Sequence, residues 1–96
     1  MKIRVKGYFT FKKVMDGKAV LEIEIEKATI KDVLKDLSEN FDQDFREAII
    51  DPKTQEVNSL IRVLVNGRHY QYLPNRLNTE LKEGDEVALF PPIVGG

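Results

Sequence analysis

Cysteine and tryptophan are absent from this 96-residue sequence, and histidine occurs once. Without cysteine the chain can form neither disulfides nor thiolate metal sites, so any sulfur chemistry must use sulfur supplied by another molecule. A single histidine, His69, excludes a metal site built from several histidines, and we interpret it as an ordinary strand residue. We therefore expect no metal site.

A surplus of charge and a long apolar run are also missing. The net charge of -1 argues against a general nucleic-acid partner, and Tyr70 and Tyr72 lack the basic surroundings of a base-stacking surface. No apolar run approaches the ~18 residues that span a bilayer, and the alternating start of the chain is unlike a secretory signal. We expect a cytoplasmic protein without membrane contact. No glycine-rich nucleotide loop is present, so ATP would be bound only by a partner.

Two alternating segments open the chain. In residues 2–6 and 19–26, apolar residues alternate with charged ones, which predicts two half-buried strands joined as a hairpin. The predicted outer faces carry a basic row and an acidic row, formed by Lys2, Arg4 and Lys6 and by Glu22, Glu24 and Glu26. Opposite charges across paired strands contribute ~0.2–1 kcal/mol each, so these rows need no ligand to explain them.

The middle of the chain has helical spacing. Thr29 and Asp32 have capping-box spacing at a helix start. The apolar stripe that follows consists of Ile30, Val33, Leu34, Leu37 and Phe41. A second, short helix is predicted from Phe45, Ala48 and Ile49, and residues 51–56 form a polar turn.

The remaining residues predict further strands. Residues 60–65 are mostly apolar and lead into Asn66-Gly67, a strong hairpin signal, with residues 68–72 as the return strand. An irregular segment, 73–79, is anchored by leucines. Residues 86–90 predict a final strand in the middle of the sheet, because its apolar run leaves no polar face. The chain is therefore predicted to be one α+β domain, a mixed sheet packed on one main helix.

The last seven residues are Phe90-Pro91-Pro92-Ile93-Val94-Gly95-Gly96. Two prolines end the final strand and favour extended geometry, which divides the chain into a domain (1–92) and a projecting tail (93–96). A Gly-Gly end has no Cβ atoms and can enter a channel only as wide as a backbone. The candidate reactive group is the carboxylate of Gly96, which is ionised and unreactive at neutral pH until it is activated.

Residues 63–68 and 84–96 resemble the MoaD branch of the ubiquitin-like sulfur carriers. The resemblance implies a β-grasp fold with a mixed sheet of about five strands. It implies the small, non-catalytic subunit of a molybdopterin synthase, with the catalytic residues on a MoaE-type large subunit. Its other implied partners are an E1-like, MoeB-type adenylyltransferase that uses ATP and a sulfur-donor enzyme. No cofactor is implied for this chain itself.

The resemblance also assigns roles to the tail. The carboxylate of Gly96 would become an adenylate and then a thiocarboxylate, whose sulfur passes to precursor Z in molybdenum or tungsten cofactor biosynthesis. Gly95 and Val94 would allow the tail into active sites, and the partner-binding residues would be Phe90, Pro91, Pro92 and Ile93. Two alternatives stay open: conjugation through Gly96 to protein lysines, and sulfur transfer for tRNA thiolation. For Phe90, a place in the core remains an equal alternative to partner contact.

Overall fold

The computed structural model describes residues 1–8, 11, 20–26, 28–40, 43–58 and 60–91. The strands and helices are β1 (Lys2–Gly7), β2 (Val20–Glu24), α1 (Ile30–Asn40), α2 (Gln43–Ile49), β3 (Arg62–Val65), β4 (Arg68–His69) and β5 (Glu86–Phe90). Two 3-10 helices, Tyr70–Tyr72 and Arg76–Asn78, connect β4 to β5. No helix in these ranges combines the length and the apolar character needed to cross a membrane.

The strands form one five-stranded sheet in the order β2-β1-β5-β3-β4. The last strand, β5, lies in the middle, parallel to β1 and antiparallel to β3. Both predictions, a mixed sheet and a central final strand, are confirmed. This strand order, with one main helix across one face, is that of a β-grasp fold.

The first two strands form the predicted antiparallel hairpin. Lys2 lies opposite Glu24 and Arg4 lies opposite Glu22, so the basic and acidic rows face each other across the two strands. Lys6 differs, because its cross-strand neighbour on β2 is Val20. Its ammonium instead makes a 2.8 Å ion pair with Glu86 of β5.

Helix α1 begins with the predicted capping box. The Asp32 carboxylate accepts hydrogen bonds from the backbone N–H and the hydroxyl of Thr29, at 2.9 and 3.0 Å. The Asp32 N–H in turn donates to the Thr29 hydroxyl at 3.3 Å. These bonds satisfy backbone donors that the first helical turn leaves free.

The core lies between the sheet and α1. The four predicted stripe residues in the described range, Ile30, Val33, Leu34 and Leu37, are at most 1% exposed, whereas Phe41 lies outside that range. The other buried apolar residues are Ile3, Val5, Phe11, Ala28, Ile49, Ile61, Val63, Val65, Tyr70, Leu81, Val87 and Leu89. Alternate residues of β1, β3 and β5 thus face the helix, which leaves the opposite face of the sheet open.

Strand β3 begins later than the sequence predicts. The predicted strand starts at Leu60, but β3 starts at Arg62 and Leu60 is 70% exposed. The side chain of Asn58 accepts a hydrogen bond from the Leu60 N–H at 2.9 Å. Such a local bond holds the backbone in a turn and competes with strand pairing.

The return strand is shorter than predicted, and its two tyrosines do not share a strand face. His69 is the last residue of β4, and its Nδ1 accepts a hydrogen bond from the Gln71 N–H at 3.1 Å. The chain turns into a 3-10 helix at that point. Tyr70 is therefore buried in the core, whereas Tyr72 is 82% exposed.

Candidate functional site

The end of β5 is held on both sides by neighbouring strands. Phe90, its last residue, lies opposite Arg62 of β3. On the other side, the Tyr8 N–H donates to the Leu89 carbonyl at 3.1 Å. The chain beyond Pro91 therefore starts from a fixed point at the centre of the sheet.

The aromatic rings of Phe90 and Tyr8 stack at this point. Their centroids are 4.3 Å apart and their planes differ by 6°. Tyr8 is 38% exposed and Phe90 is half-buried, so the pair lies on the open face of the sheet and outside the buried core. Aromatic stacking of this kind contributes about 0.5–1.5 kcal/mol beyond the area it buries. Phe90 thus offers an ordered and partly accessible aromatic surface next to the tail.

Apolar and basic residues continue across the same face. Ala88 and Leu64 are cross-strand neighbours, and both are half-buried. Leu64 also lies opposite His69. A depression of about 600 Å³ lies beside them, lined by Arg62, Leu64, Gly67, Arg68, His69, Gln71 and Tyr72. Its lining contains two arginines and no acidic residue, so it suits a partner with negative charge.

The Lys6–Glu86 ion pair lies on the other side of β5 from Arg62. The hydrogen bond and the nearby charge of Glu86 raise the pKa of the Lys6 ammonium above its ordinary value. Each charge in this pair offsets the other. The two arginines of the depression have no such acidic neighbour among its lining residues.

The structure describes two of the predicted tail and partner-binding residues. Phe90 and Pro91 lie at the end of the central strand, and both are half-buried. The remaining five, Pro92, Ile93, Val94, Gly95 and Gly96, lie outside the described residues, as does the predicted tail 93–96. Their roles remain predictions.

Sequence reasoning missed Tyr8, Arg62 and Leu64 as parts of this face. The predicted first strand stops at residue 6, yet the alternation of β1 continues far enough to place Tyr8 on the same face as Lys6. Extending that alternation by two residues would have found it. The position of Arg62 and Leu64 beside β5 depends on the order of the strands in the sheet, which a local sequence pattern does not predict.

The described residues offer little chemistry of their own. Within the described ranges, no group of three or more histidine, aspartate or glutamate residues is arranged to hold a metal ion. His69 uses Nδ1 to accept the Gln71 N–H and stacks on Tyr70 with a centroid distance of 4.8 Å. Its position therefore agrees with a strand residue that helps to end β4.

Comparison with known proteins connects this geometry with a family. The model of the ThiS family matches residues 8–96. The small archaeal modifier protein 3 of Haloferax volcanii is 33% identical over 96 residues, which is 100% of each chain. A putative sulfur carrier protein of Archaeoglobus fulgidus is 34% identical over 76 residues, covering 79% of this chain and 83% of that protein.

Solved structures share the fold. The small archaeal modifier protein 1 of Methanosarcina acetivorans superposes with a TM-score of 0.83 at 26% identity, covering 99% of this chain and 96% of that one. A putative molybdopterin converting factor, subunit 1, from Pyrococcus furiosus superposes with a TM-score of 0.72 at 27% identity, covering 97% and 99%. The fold is a ubiquitin-like β-grasp, and the chain belongs to the ThiS family of ubiquitin-like sulfur carriers.

Proposed function

We propose that this chain is a ubiquitin-like modifier and sulfur carrier whose working group is the carboxylate of Gly96. The observation that carries the proposal is the fixed and partly exposed Phe90–Tyr8 pair immediately before a short Gly-Gly tail. A partner that binds this pair would be positioned next to the start of the tail. The full-length likeness to a small archaeal modifier protein supports the modifier function, and the likeness to a sulfur carrier protein supports the second role.

The chemistry begins with activation by an E1-like enzyme. An oxygen of the Gly96 carboxylate attacks the α-phosphorus of ATP, and pyrophosphate leaves to give an acyl-adenylate. The tail supplies the reacting carboxylate, and Gly95 and Gly96, which have no Cβ atoms, give its end the narrow cross-section needed to enter the enzyme. The adenylate turns a poor electrophile into one that carries a good leaving group.

The fate of the acyl-adenylate defines the function. If the ε-amine of a lysine attacks the carbonyl carbon, AMP leaves and an isopeptide joins Gly96 to the target. If hydrosulfide attacks instead, AMP leaves and Gly96 carries a thiocarboxylate. Both products require the same tail and the same activating partner, so one protein is able to serve in both.

The open face of the sheet is the proposed docking site for the activating enzyme. Phe90 and Pro91 lie at the root of the tail, and Leu64 continues the apolar surface. Pro92 and Ile93 follow in the sequence and would extend the same contact. The arginines of the adjoining depression, Arg62 and Arg68, favour an acidic surface on the partner.

The second candidate is the small subunit of a molybdopterin synthase. The likeness to a putative molybdopterin converting factor subunit favours it, as does the Phe-Pro-Pro sequence before the tail. In that function a MoaE-type large subunit accepts the tail of the thiocarboxylated chain. The sulfur then passes to precursor Z.

The test uses the natural cleavage site at Lys82. The full chain is incubated with ATP, an E1-like enzyme, sodium sulfide and a lysine-rich acceptor protein. Part of the mixture is digested with trypsin, and the intact mass is measured on the rest. Because Lys82 is the last lysine or arginine of the chain, a modified lysine retains residues 83–96 as a branch. We expect acceptor peptides with this branch, formed only when ATP is present.

Two further outcomes separate the candidates. Thiocarboxylate formation without any branched peptide would contradict the modifier function and leave the carrier function. Production of molybdopterin from precursor Z after addition of a MoaE-type subunit would favour the second candidate. If the ATP-treated chain neither conjugates nor gains sulfur while the enzyme activates a known carrier, the whole proposal is wrong.

A further inference from the structure

The outer edge of the sheet at β2 presents backbone groups that are not paired with any described strand. Among the described residues, β2 ends the sheet and no strand lies beyond it. The backbone groups of Met1 and Ile25 bond to each other in both directions at 2.9 Å. Antiparallel strands alternate between bonded and non-bonded pairs, so Ile23 and Leu21 also bond to β1. The N–H and C=O groups of Glu22 and Glu24 therefore point away from the sheet.

The side chains along this edge differ between the two faces. Val20, Glu22, Glu24 and Glu26 are exposed, and the three glutamates form an acidic row on the open face. Leu21, Ile23 and Ile25 point toward the helix side and are only half-buried, although they pack against the core. A further strand paired with β2 would cover the apolar row with the side chains on one of its faces. The side chains on its other face would lie beside the acidic row.

The glutamates of β2 favour the binding of a strand with basic side chains. Lys2 and Arg4 of β1 already show the complementary pattern, because they face Glu24 and Glu22 while Ile3 faces Ile23 inside. A segment that alternates basic and apolar residues would repeat this arrangement on the free side of β2. A second β2 would instead bring glutamates together across the new pair, which is unfavourable.

We propose that the β2 edge binds an extended segment of another protein in which lysine or arginine alternates with apolar residues. The bound segment adds a sixth strand, with its backbone bonded to Glu22 and Glu24 and its basic side chains beside the acidic row. This edge is formed by β2, whereas the Phe90–Tyr8 pair lies at the ends of β5 and β1. The proposal does not depend on the chemistry of Gly96.

The test is an NMR titration of the full chain with two blocked peptides. The probe is Gly-Lys-Ile-Lys-Val-Lys-Gly, and its matched control replaces each lysine with glutamate. We expect the lysine peptide to shift the amide signals of residues 20–26 and to slow hydrogen exchange at the outward amides of Glu22 and Glu24. The control peptide should bind at least roughly tenfold more weakly, and added salt should weaken the lysine peptide.

Two variants at one position separate backbone pairing from charge. Glu22→Thr keeps the outward N–H and removes the carboxylate, so we expect roughly two- to fivefold weaker binding of the lysine peptide. Glu22→Pro also removes the outward N–H. Because this N–H does not bond to β1, the β1–β2 pairing should remain, and we expect the variant to lose its pairing with the peptide. If the proline variant does not fold, the double variant Glu22→Gln and Glu24→Gln tests the charge preference, which it should remove.

Several results would overturn the proposal. Equal affinity for the two peptides would exclude selection by charge. Signal shifts on the β3–β4 side instead of residues 20–26 would place binding elsewhere, and unchanged binding to a folded Glu22→Pro variant would exclude strand addition. A concentration-dependent dimer whose contact maps to β2 would assign the edge to a second copy of the chain.

Discussion

At the residue scale, Phe90 and Tyr8 stack where β5 ends, shortly before the predicted tail. Their parallel rings hold each other in place while leaving one surface open to a partner. Neither ring belongs to the buried core, so their loss leaves the helix–sheet packing intact. An exposed, ordered aromatic residue is a common anchor in protein interfaces.

Replacing Phe90 with alanine should therefore impair recognition more than folding. We expect the free energy of unfolding to fall by about 1–2 kcal/mol and the rate of ATP-dependent activation to fall at least roughly tenfold at subsaturating carrier. Activation is measured by pyrophosphate release with the E1-like enzyme. Tyr8→Phe is the matched control, since it keeps the ring pair and should activate like the wild type. Normal activation of Phe90→Ala would exclude this residue from the interface.

The contribution of Asp32 to folding stability depends on pH. The hydrogen bonds from the backbone and side chain of Thr29 lower the pKa of Asp32 below its ordinary value. The ionised form is thus favoured by folding, and its contribution to stability is present above the unfolded pKa of about 3.9. That contribution is lost as the pH falls through the lower, folded pKa.

Asp32→Asn should reveal this effect. We expect the difference in unfolding free energy between the wild type and this variant to be largest near neutral pH and to shrink as the pH falls below about 4. Urea unfolding at a series of pH values measures it. Thr29→Ala removes the hydroxyl donor, so the pH dependence should be smaller in that background. A difference that does not change with pH would contradict the assigned role of Asp32.

At the scale of elements, the β3–β4 turn holds the start of β5, at the opposite end of that strand from Phe90. Asn66 and Gly67 both have positive φ, 51° and 86°, as this tight hairpin turn requires. The Asn66 side chain also donates to Asp85 at 3.1 Å and accepts from the Glu86 N–H at 3.0 Å. The same residue therefore shapes the hairpin and holds the start of β5.

Substitutions at Asn66 should separate these two roles. Asn66→Gly keeps access to positive φ and loses only the side-chain bonds, so we expect a loss of about 1 kcal/mol in unfolding free energy. Asn66→Ala loses the bonds and also strains the turn, for a total of about 2–3 kcal/mol. Denaturant unfolding of both variants measures the difference. Equal losses would show that the backbone conformation contributes nothing.

Most elements could be predicted because their signals are local. Alternation identified β1 and β2, the Thr29–Asp32 spacing identified the start of α1, and the apolar run identified β5 as central. The errors came from side-chain bonds to the backbone. Asn58 holds Leu60 out of β3, and His69 accepts the Gln71 N–H and ends β4, and neither effect has a periodic signal.

Only part of the candidate site could be predicted from the sequence. Phe90 and Pro91 were identified from the sequence before the tail. Tyr8 joins Phe90 only because β1 and β5 run parallel as neighbours, and that contact joins residues far apart in sequence. Pairing between distant strands follows from the fold and is not visible in a local pattern.

At the scale of the whole molecule, we propose that the domain and the tail have separate tasks. Among the described residues, the core ends at Leu89 of β5, and β5 lies between two strands. We propose that the activating enzyme docks on the face of the sheet opposite α1 and that a basic strand binds at the β2 edge. Folding and chemistry are therefore expected to respond to different substitutions.

Deletion of Gly96 should leave folding unchanged and abolish function. We expect the melting temperature to stay within about 1 °C of the wild type, because the buried core residues of the described ranges run from Ile3 to Leu89. Adenylation and every later product should be lost. Calorimetry and pyrophosphate release measure the two effects. Unfolding of the truncated chain would contradict the separation of domain and tail.

The central claim is that the carboxylate of Gly96 is the reactive group of this protein. The most direct measurement is the intact mass of the chain after incubation with ATP, an E1-like enzyme and a sulfide source. We expect a mass gain equal to the replacement of one oxygen by sulfur, located at Gly96 by fragmentation and absent after Gly96 deletion. An unchanged mass, under conditions in which the same enzyme thiocarboxylates a known carrier, would contradict the claim.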